Sequence, residues 1–346
     1  MSYQQRWSAL ARAMAKQTAA LLITHPANVR YLCGFTGEGF LLAFNDENKK
    51  PQLFTDTRFT VEAQACAADI GLCDNKAITP QDALPFVDFD LGIEAEHLST
   101  SAFLALKEKT GVVPTKGLVE SLRIIKDAEE ITLLKSAAAL TDEAFIGILS
   151  CLAGLTERQI AARLLFELQN SGAEGPSFPF IVASGENGAK PHAEPGDRTP
   201  KPGEMVTIDF GCVKDGYCSD LTRTVPIGRP GDELRRLYRL VAHAQKKALA
   251  CIRPGLPMAD AHNAACSVFE FSGMLQYFTH SLGHGVGLEV HEAPRVNKRA
   301  EGTFQPGMVI TCEPGLYVPG VGGVRIEDTC VVEEDGITII SREETT

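Results

Sequence analysis

The chain has 346 residues, a net charge of −11, 44% hydrophobic and 22% charged residues, and no low-complexity tract. That length suits two domains, or one with an elaborate core. The acidic balance excludes a nucleic-acid partner, because phosphate contacts need clustered Lys and Arg; no stretch approaches the roughly 18 consecutive apolar residues of a membrane span. The opening "MSYQQRWSALARAMAKQ" reads as a polar helix without the apolar core of a signal peptide. Ten cysteines are scattered without a CxxC pair, which predicts reduced thiols in a cytoplasmic protein.

In chain order, short apolar runs first alternate with helical patterns. "AALLIT" (19–24), "FLLAFN" (40–45), "PQLFT" (51–55) and "FDLGIE" (89–94) read as strands. "RFTVEAQACAA" (58–68) and "STSAFLALKEKTG" (99–111) read as helices. Together they predict a compact α/β domain over 1–124. A long helix then begins at "DAEEITLL", with Asp127 as N-cap and Glu130 completing a capping box, so a second domain is placed at 125–346.

The second part carries an internal repeat. "GLTERQIAARLLFELQNSG" (154–172) is answered by "GLPMADAHNAACSVFEFSG" (255–273), and "PGEMVTIDFG" (202–211) aligns without gaps to "PGMVITCEPG" (306–315). Each copy reads as helix, helix, then a strand carrying an acid, Asp209 or Glu313, with a second acid further on, Asp220 or Glu327. In the first copy Asp209 shares a strand face with Thr207, and Asp220 shares one with Thr222 and Thr224. A hairpin loop at Lys214–Asp215 would oppose the two acids; a loop at Asp215–Gly216 would make them diagonal neighbours. Either way, facing carboxylates on a half-buried surface ask for a cation. In the second copy Arg325 shares the face of Glu327. If the copies face each other, four carboxylates and one imidazole converge, a charge that two divalent ions neutralise. Such an oxygen-rich set suits Mn, Co, Fe or Zn, which activate water and polarise a carbonyl.

The segment "HSLGHGVGLEVHE" (280–292) holds three of the eight histidines, and its spacing alone leaves their roles open. His280 and His284 are four apart, yet Gly283, Gly285 and Gly287 argue against a helix, at about 1 kcal/mol for each interior glycine. A close-approach loop or irregular strand is expected instead.

The stretches "FTDTRFTVEA", "IDFGCVKDGYCSDLTRT", "HSLGHGVGLEVHEAP" and "TCEPGLYVPGVGGVRIED" resemble the pita-bread metallopeptidases, in the branch of the Xaa-Pro aminopeptidases and prolidases. The resemblance implies an N-terminal creatinase-like α/β domain and a C-terminal pseudo-two-fold pita-bread catalytic domain of α/β (α+β) class. It implies two divalent ions held by Asp209, Asp220, His284, Glu313 and Glu327, with Asp220 bidentate and Asp209 and Glu327 bridging. His284 is then the ligand, while His280 and His291 flank the metals and handle substrate. Glu313 suits a proton shuttle, and His280 and His291 suit oxyanion donors. His192 and Arg325 match the family's further substrate histidine and supporting arginine. The implied substrates are short peptides with proline at the second position, and Phe178 and Val290 are the candidate walls of the proline pocket. A homodimer is expected. A methionine aminopeptidase would share the ligands but usually lacks the N-terminal domain. Creatinase-like hydrolases depart from the ligand set, and a metal-free binding or chaperone module would have lost it.

Overall fold

The computed structural model describes residues 1–341, and the chain divides into two compact units, Met1–Arg123 and Ile124–Thr346. In the first unit, strands β1 (Ala20–Ile23), β2 (Gly39–Phe44), β3 (Gln52–Asp56), β4 (Asp69–Asp74), β5 (Leu91–Glu94) and β6 (Val112–Thr115) form one sheet in the order β4-β3-β2-β1-β5-β6. Strands β1 to β3 pair antiparallel; β4, β5 and β6 join in parallel. The helices are α1 (Tyr3–Met14), α2 (Pro26–Cys33), α3 (Thr60–Ala65), α4 (Thr100–Lys107) and α5 (Leu118–Arg123). Ser2 and Gln5 close a capping box on α1, and the Trp7 indole N–H donates to the Leu32 carbonyl, docking α1 on α2. The helix expected over 58–68 is shorter, because Asp56 caps the Arg58 N–H and spends residues 57–59 on a 3₁₀ turn.

In the second unit the chain runs α6 (Ala128–Leu149), α7 (Glu157–Asn170), β7 (Gly175–Pro176), β8 (Ile181–Ser184), β9 (Met205–Phe210), β10 (Cys212–Lys214), β11 (Tyr217–Cys218) and β12 (Leu221–Pro226). Then come α8 (Asp232–Cys251), α9 (Met258–Phe271), β13 (Gly283–Gly285), β14 (Glu292–Val296), β15 (Val309–Cys312), β16 (Gly315–Val318), β17 (Gly322–Arg325), β18 (Asp328–Val332) and β19 (Ile337–Ile339). The copies read from the sequence are helix pairs α6–α7 and α8–α9, each followed by an antiparallel sheet, β12-β9-β8 and β14-β13-β15-β18-β19. This is the pita-bread fold, in a mixed α/β chain. Each copy buries its own apolar cluster: Ile160, Leu164 and Leu168 of α7 against Val206, Ile208 and Phe210 in the first, Ala261, Ala265 and Phe269 of α9 with Ile310 and Cys312 in the second.

Alternation explains which face of β9 is available for chemistry. Val206, Ile208 and Phe210 go into the core, so Thr207 and Asp209 take the other side. The β10–β11 loop is Asp215–Gly216, with φ of 49° and 79°, the left-handed pair that a tight two-residue hairpin requires. Asp209 therefore lies opposite Thr222 and diagonal to Asp220.

Candidate metal centre

Each acid is placed by the end of a strand. Asp209 is the penultimate residue of β9, Asp220 immediately precedes β12, Glu313 follows β15, and Glu327 joins β17 to β18. His284 sits in the middle of β13, whose neighbouring glycines permit unusually close backbone packing. A Cβ on Gly283 would overlap the Thr311 carbonyl, and one on Gly285 the Ala293 carbonyl. The ladder with β14 slips between His284 and Gly285, so the segment is the irregular strand the glycines predict.

These residues converge. His284 Nε2 lies 3.3 Å from Glu313 Oε1 and 3.6 Å from Asp220 Oδ2, and its Nδ1 faces the Gly285 carbonyl at 3.1 Å. Asp220, His284 and Glu327 each offer a ligand atom within 4.8 Å of the others. Thr222 donates to Glu327 Oε2 at 2.7 Å, and Arg325 Nη2 to Asp209 Oδ2 at 2.5 Å. The remaining oxygens, Asp209 Oδ1 and Glu327 Oε1, are buried without a hydrogen-bond partner. Buried polar atoms are normally satisfied, and a bound ion is a standard reason for exceptions.

The electrostatics point the same way. Burial, then repulsion from Glu327, Asp209 and Glu313, pushes the Asp220 carboxyl well above its ordinary range. Burial, then the charges of Glu313 and Asp209, does the same to Glu327. Glu313 differs: burial opposes its ionisation, but the hydrogen bond and charge of His284 hold it below the usual value. Acids this crowded are compensated by a divalent cation, and the donor set of carboxylates with one imidazole fits one.

Around the acids stands a polar rim. His280 accepts or donates at Nε2 to the Tyr317 hydroxyl (2.9 Å), and its Nδ1 lies 2.8 Å from the Ser281 carbonyl and 3.9 Å from Glu313 Oε2. Arg325 Nη1 donates to the same hydroxyl at 2.6 Å, and Nε to Thr222 Oγ1 at 3.2 Å. The His291 ring is edge-on to His284, centroids 4.3 Å apart, although the residue is exposed. His192 is also exposed. Val290 packs against a cluster of Tyr217, Cys218, Val286 and Val309, whereas Phe178 is half-buried on the bend after β7, where Ser177 donates to the Ser219 carbonyl. Sequence reasoning missed Tyr317 and the bonding role of Thr222. Tyr317 had no signal beyond its place in "GLYVPG"; Thr222 shares a face with Asp220, a usable hint.

Fold and site together define a divalent-metal enzyme of pita-bread architecture. The chain belongs to metallopeptidase family M24, whose profile matches residues 132–334, and the creatinase/prolidase N-terminal domain matches residues 6–125. It is similar to the Xaa-Pro dipeptidase of Pyrococcus furiosus, 35% identical over 341 residues, 94% of this chain and 93% of that protein. Among solved structures it resembles the Xaa-Pro dipeptidase from Bacillus anthracis at TM-score 0.94 and 35% identity, covering 100% of this chain and 99% of that one. It also resembles the X-Pro aminopeptidase from Thermotoga maritima at TM-score 0.85 and 31% identity, covering 97% and 99%.

Proposed function

We propose that the protein is an exopeptidase that hydrolyses the Xaa-Pro bond of dipeptides or at the N-terminus of short peptides, using two divalent ions drawn from Mn, Co, Zn or Fe. The observation that carries this reading is the convergence of Asp220, Glu313 and Glu327 on His284, with a buried, unpaired oxygen on each of Asp209 and Glu327. Asp209, Asp220, His284, Glu313 and Glu327 would hold the ions. When bound, the ions supply an activated water and polarise the scissile carbonyl.

The chain's own residues do the rest. Glu313, kept ionised beside His284, takes a proton from water and passes it to the leaving proline nitrogen. His280, oriented by Tyr317, and His291 donate to the developing oxyanion or hold the carbonyl. His192 assists on the substrate side, and Phe178 and Val290 receive the pyrrolidine ring. Arg325 holds Asp209 and Tyr317 in place. The catalytic domain begins near residue 125 and follows a creatinase-like domain over 1–124. Ten unpaired cysteines favour the cytoplasm, and a homodimer is the expected state; among the described residues no helix is long and apolar enough to cross a membrane.

The deciding experiment compares Xaa-Pro, Xaa-Pro-Yaa and N-acetylated Xaa-Pro substrates with metal-loaded protein. Cleavage of the first alone makes the enzyme a dipeptidase, and cleavage of the first two an aminopeptidase. Efficient cleavage of the acetylated peptide refutes an exopeptidase, because a free amine marks the first peptide bond.

A further inference from the structure

We propose that the buried ion pair between Lys126 and Glu292 is a positioning device for His291, an inference resting on the reading of His291 as a substrate-handling group. Lysine is almost never fully buried unless paired. Here the Lys126 side chain is 1% exposed, and its Nζ lies 3.1 Å from Glu292 Oε2, on a side chain 5% exposed. Neither residue touches the acids of the metal centre in any contact described above.

The lysine works from a fixed base. Its backbone N–H donates to the Gly307 carbonyl at 2.8 Å, and the preceding Ile125 bridges to Met308. Gly307 has φ +86°, and a Cβ there would press on Ile125 Cγ2 at 2.8 Å and the Lys126 carbonyl at 3.0 Å. The backbone at 125–126 is thus tied to the turn that leads into β15, the strand ending beside Glu313.

The carboxylate closes a loop. Glu292 Oε1 accepts the Glu289 N–H at 3.1 Å, and the same carboxylate lies over Gly287, where a Cβ would collide with it. The Gly287 N–H donates to the Glu289 carbonyl, and the Gly287 carbonyl accepts from Cys218. Glu292 also pairs in register with Gly285, one residue past His284, where the β13–β14 ladder slips. The chain from Gly287 to Glu292 is therefore pulled shut around one carboxylate, and that carboxylate is gripped by Lys126. Val290 and His291 lie inside the closed turn, with the His291 ring against His284. Removing the ammonium takes a charged partner from a buried carboxylate, which then gains by moving toward water. The turn moves with it, and His291 loses its station.

The test is a mutant cycle in metal-loaded protein, with kcat, KM and metal content read for Lys126→Met, His291→Ala and the double variant. Lys126→Met is expected to lower kcat by about 10- to 100-fold, the range for groups that orient a site from outside, with metal content unchanged. In the His291→Ala background the same substitution should cost no more than about twofold, because the group it positions is gone. A purely structural role predicts the same factor in both backgrounds, and that result, or unchanged kcat in Lys126→Met, overturns the proposal. If His291→Ala alone keeps full turnover, both the role of His291 and this inference fall. Should Lys126→Met not fold, Glu292→Gln, which keeps the shape of the acceptor, carries the same cycle with the same criteria.

Discussion

The first copy of the repeat brings α7, Glu157–Asn170, to β9; the second brings α9, Met258–Phe271, to β15. Both ends of the two helices sit 101 residues apart and both strand starts 104 apart, yet the copies do different things with this shared frame. The first ends in the short acids Asp209 and Asp220 and contributes one candidate histidine, His192, to the surroundings. The second ends in the longer Glu313 and Glu327 and carries His280, His284 and His291 on the segment between α9 and β15. Each copy's acids are also held by the other: Arg325 grips Asp209, Thr329 donates to the Asp220 carbonyl, Thr222 holds Glu327, and Arg223 donates to the Glu327 backbone. A repeat supplied the frame twice, and the copies cross-support Asp209, Asp220 and Glu327, whereas Glu313 is held from within its own copy by His284 and Thr311.

The largest effect should come from removing one acid of each copy. Asp220→Asn and Glu327→Gln are both expected to abolish metal binding and turnover, measured by elemental analysis and peptide hydrolysis. The chelated wild-type protein should behave the same way. Retention of full activity by either variant, or by metal-free protein, would break the claim that both copies serve one centre.

Next in size are the imidazoles of the second copy. His284→Ala should lose metal and turnover together. His280→Ala and His291→Ala should lose roughly 10²-fold or more in kcat while retaining metal, as expected for an oxyanion or proton-transfer group. Equal metal loss in all three would contradict the division of labour.

A smaller effect tests cross-donation itself. Thr222→Val keeps shape but strips Glu327 Oε2 and Arg325 Nε of their shared partner. Metal affinity should fall by about 10- to 100-fold, and stability by about 1–3 kcal/mol for the unsatisfied groups, read by titration and by denaturant unfolding. Wild-type affinity would mean that the copies need no cross-link at this point.

How far the site was readable in the sequence follows the same line. The acids were legible because strand alternation and the Asp215–Gly216 turn are local signals that fix faces and register. The glycines of 283–287 likewise announced close backbone approach before any contact was known. What stayed hidden depends on distant pairing. Tyr317 matters because β16 places its hydroxyl between His280 and Arg325, and nothing within a few residues of Tyr317 says so. The loop carrying His192 is similar: Glu157, at the start of α7, accepts from Ser184, Asn187 and the Gly196 N–H, tying down a segment some 30 residues on. In the first unit, β4 and β6 escaped detection, being neither cleanly alternating nor wholly apolar, although Pro26 at the first turn of α2 was a usable helix signal.

The smallest expected effect lies where the copies enter their strands. Glu204, just ahead of β9, pairs with Arg198, whereas the aligned position ahead of β15 is the buried Met308. The hydrogen bond from Arg198 is the main influence on Glu204 and holds its carboxyl below the usual range. A carboxyl depressed in the folded state adds stability above its unfolded pKa and loses that contribution as pH falls through the folded value. Both side chains keep partial contact with solvent, so the pair belongs to the weak class, worth at most about 1 kcal/mol. Glu204→Gln should therefore lower stability by about 0.5–1 kcal/mol at pH 7. The gap to wild type should close as the pH drops below the ordinary carboxylate range, because protonated Glu204 no longer pairs with Arg198 as a charge. Denaturant unfolding of both proteins at pH 7 and under acid conditions reads this directly. A gap that stays constant with pH would mean that Glu204 acts through packing or through its bond to the Lys201 N–H, and that the first copy's strand entry is no more electrostatic than the second's.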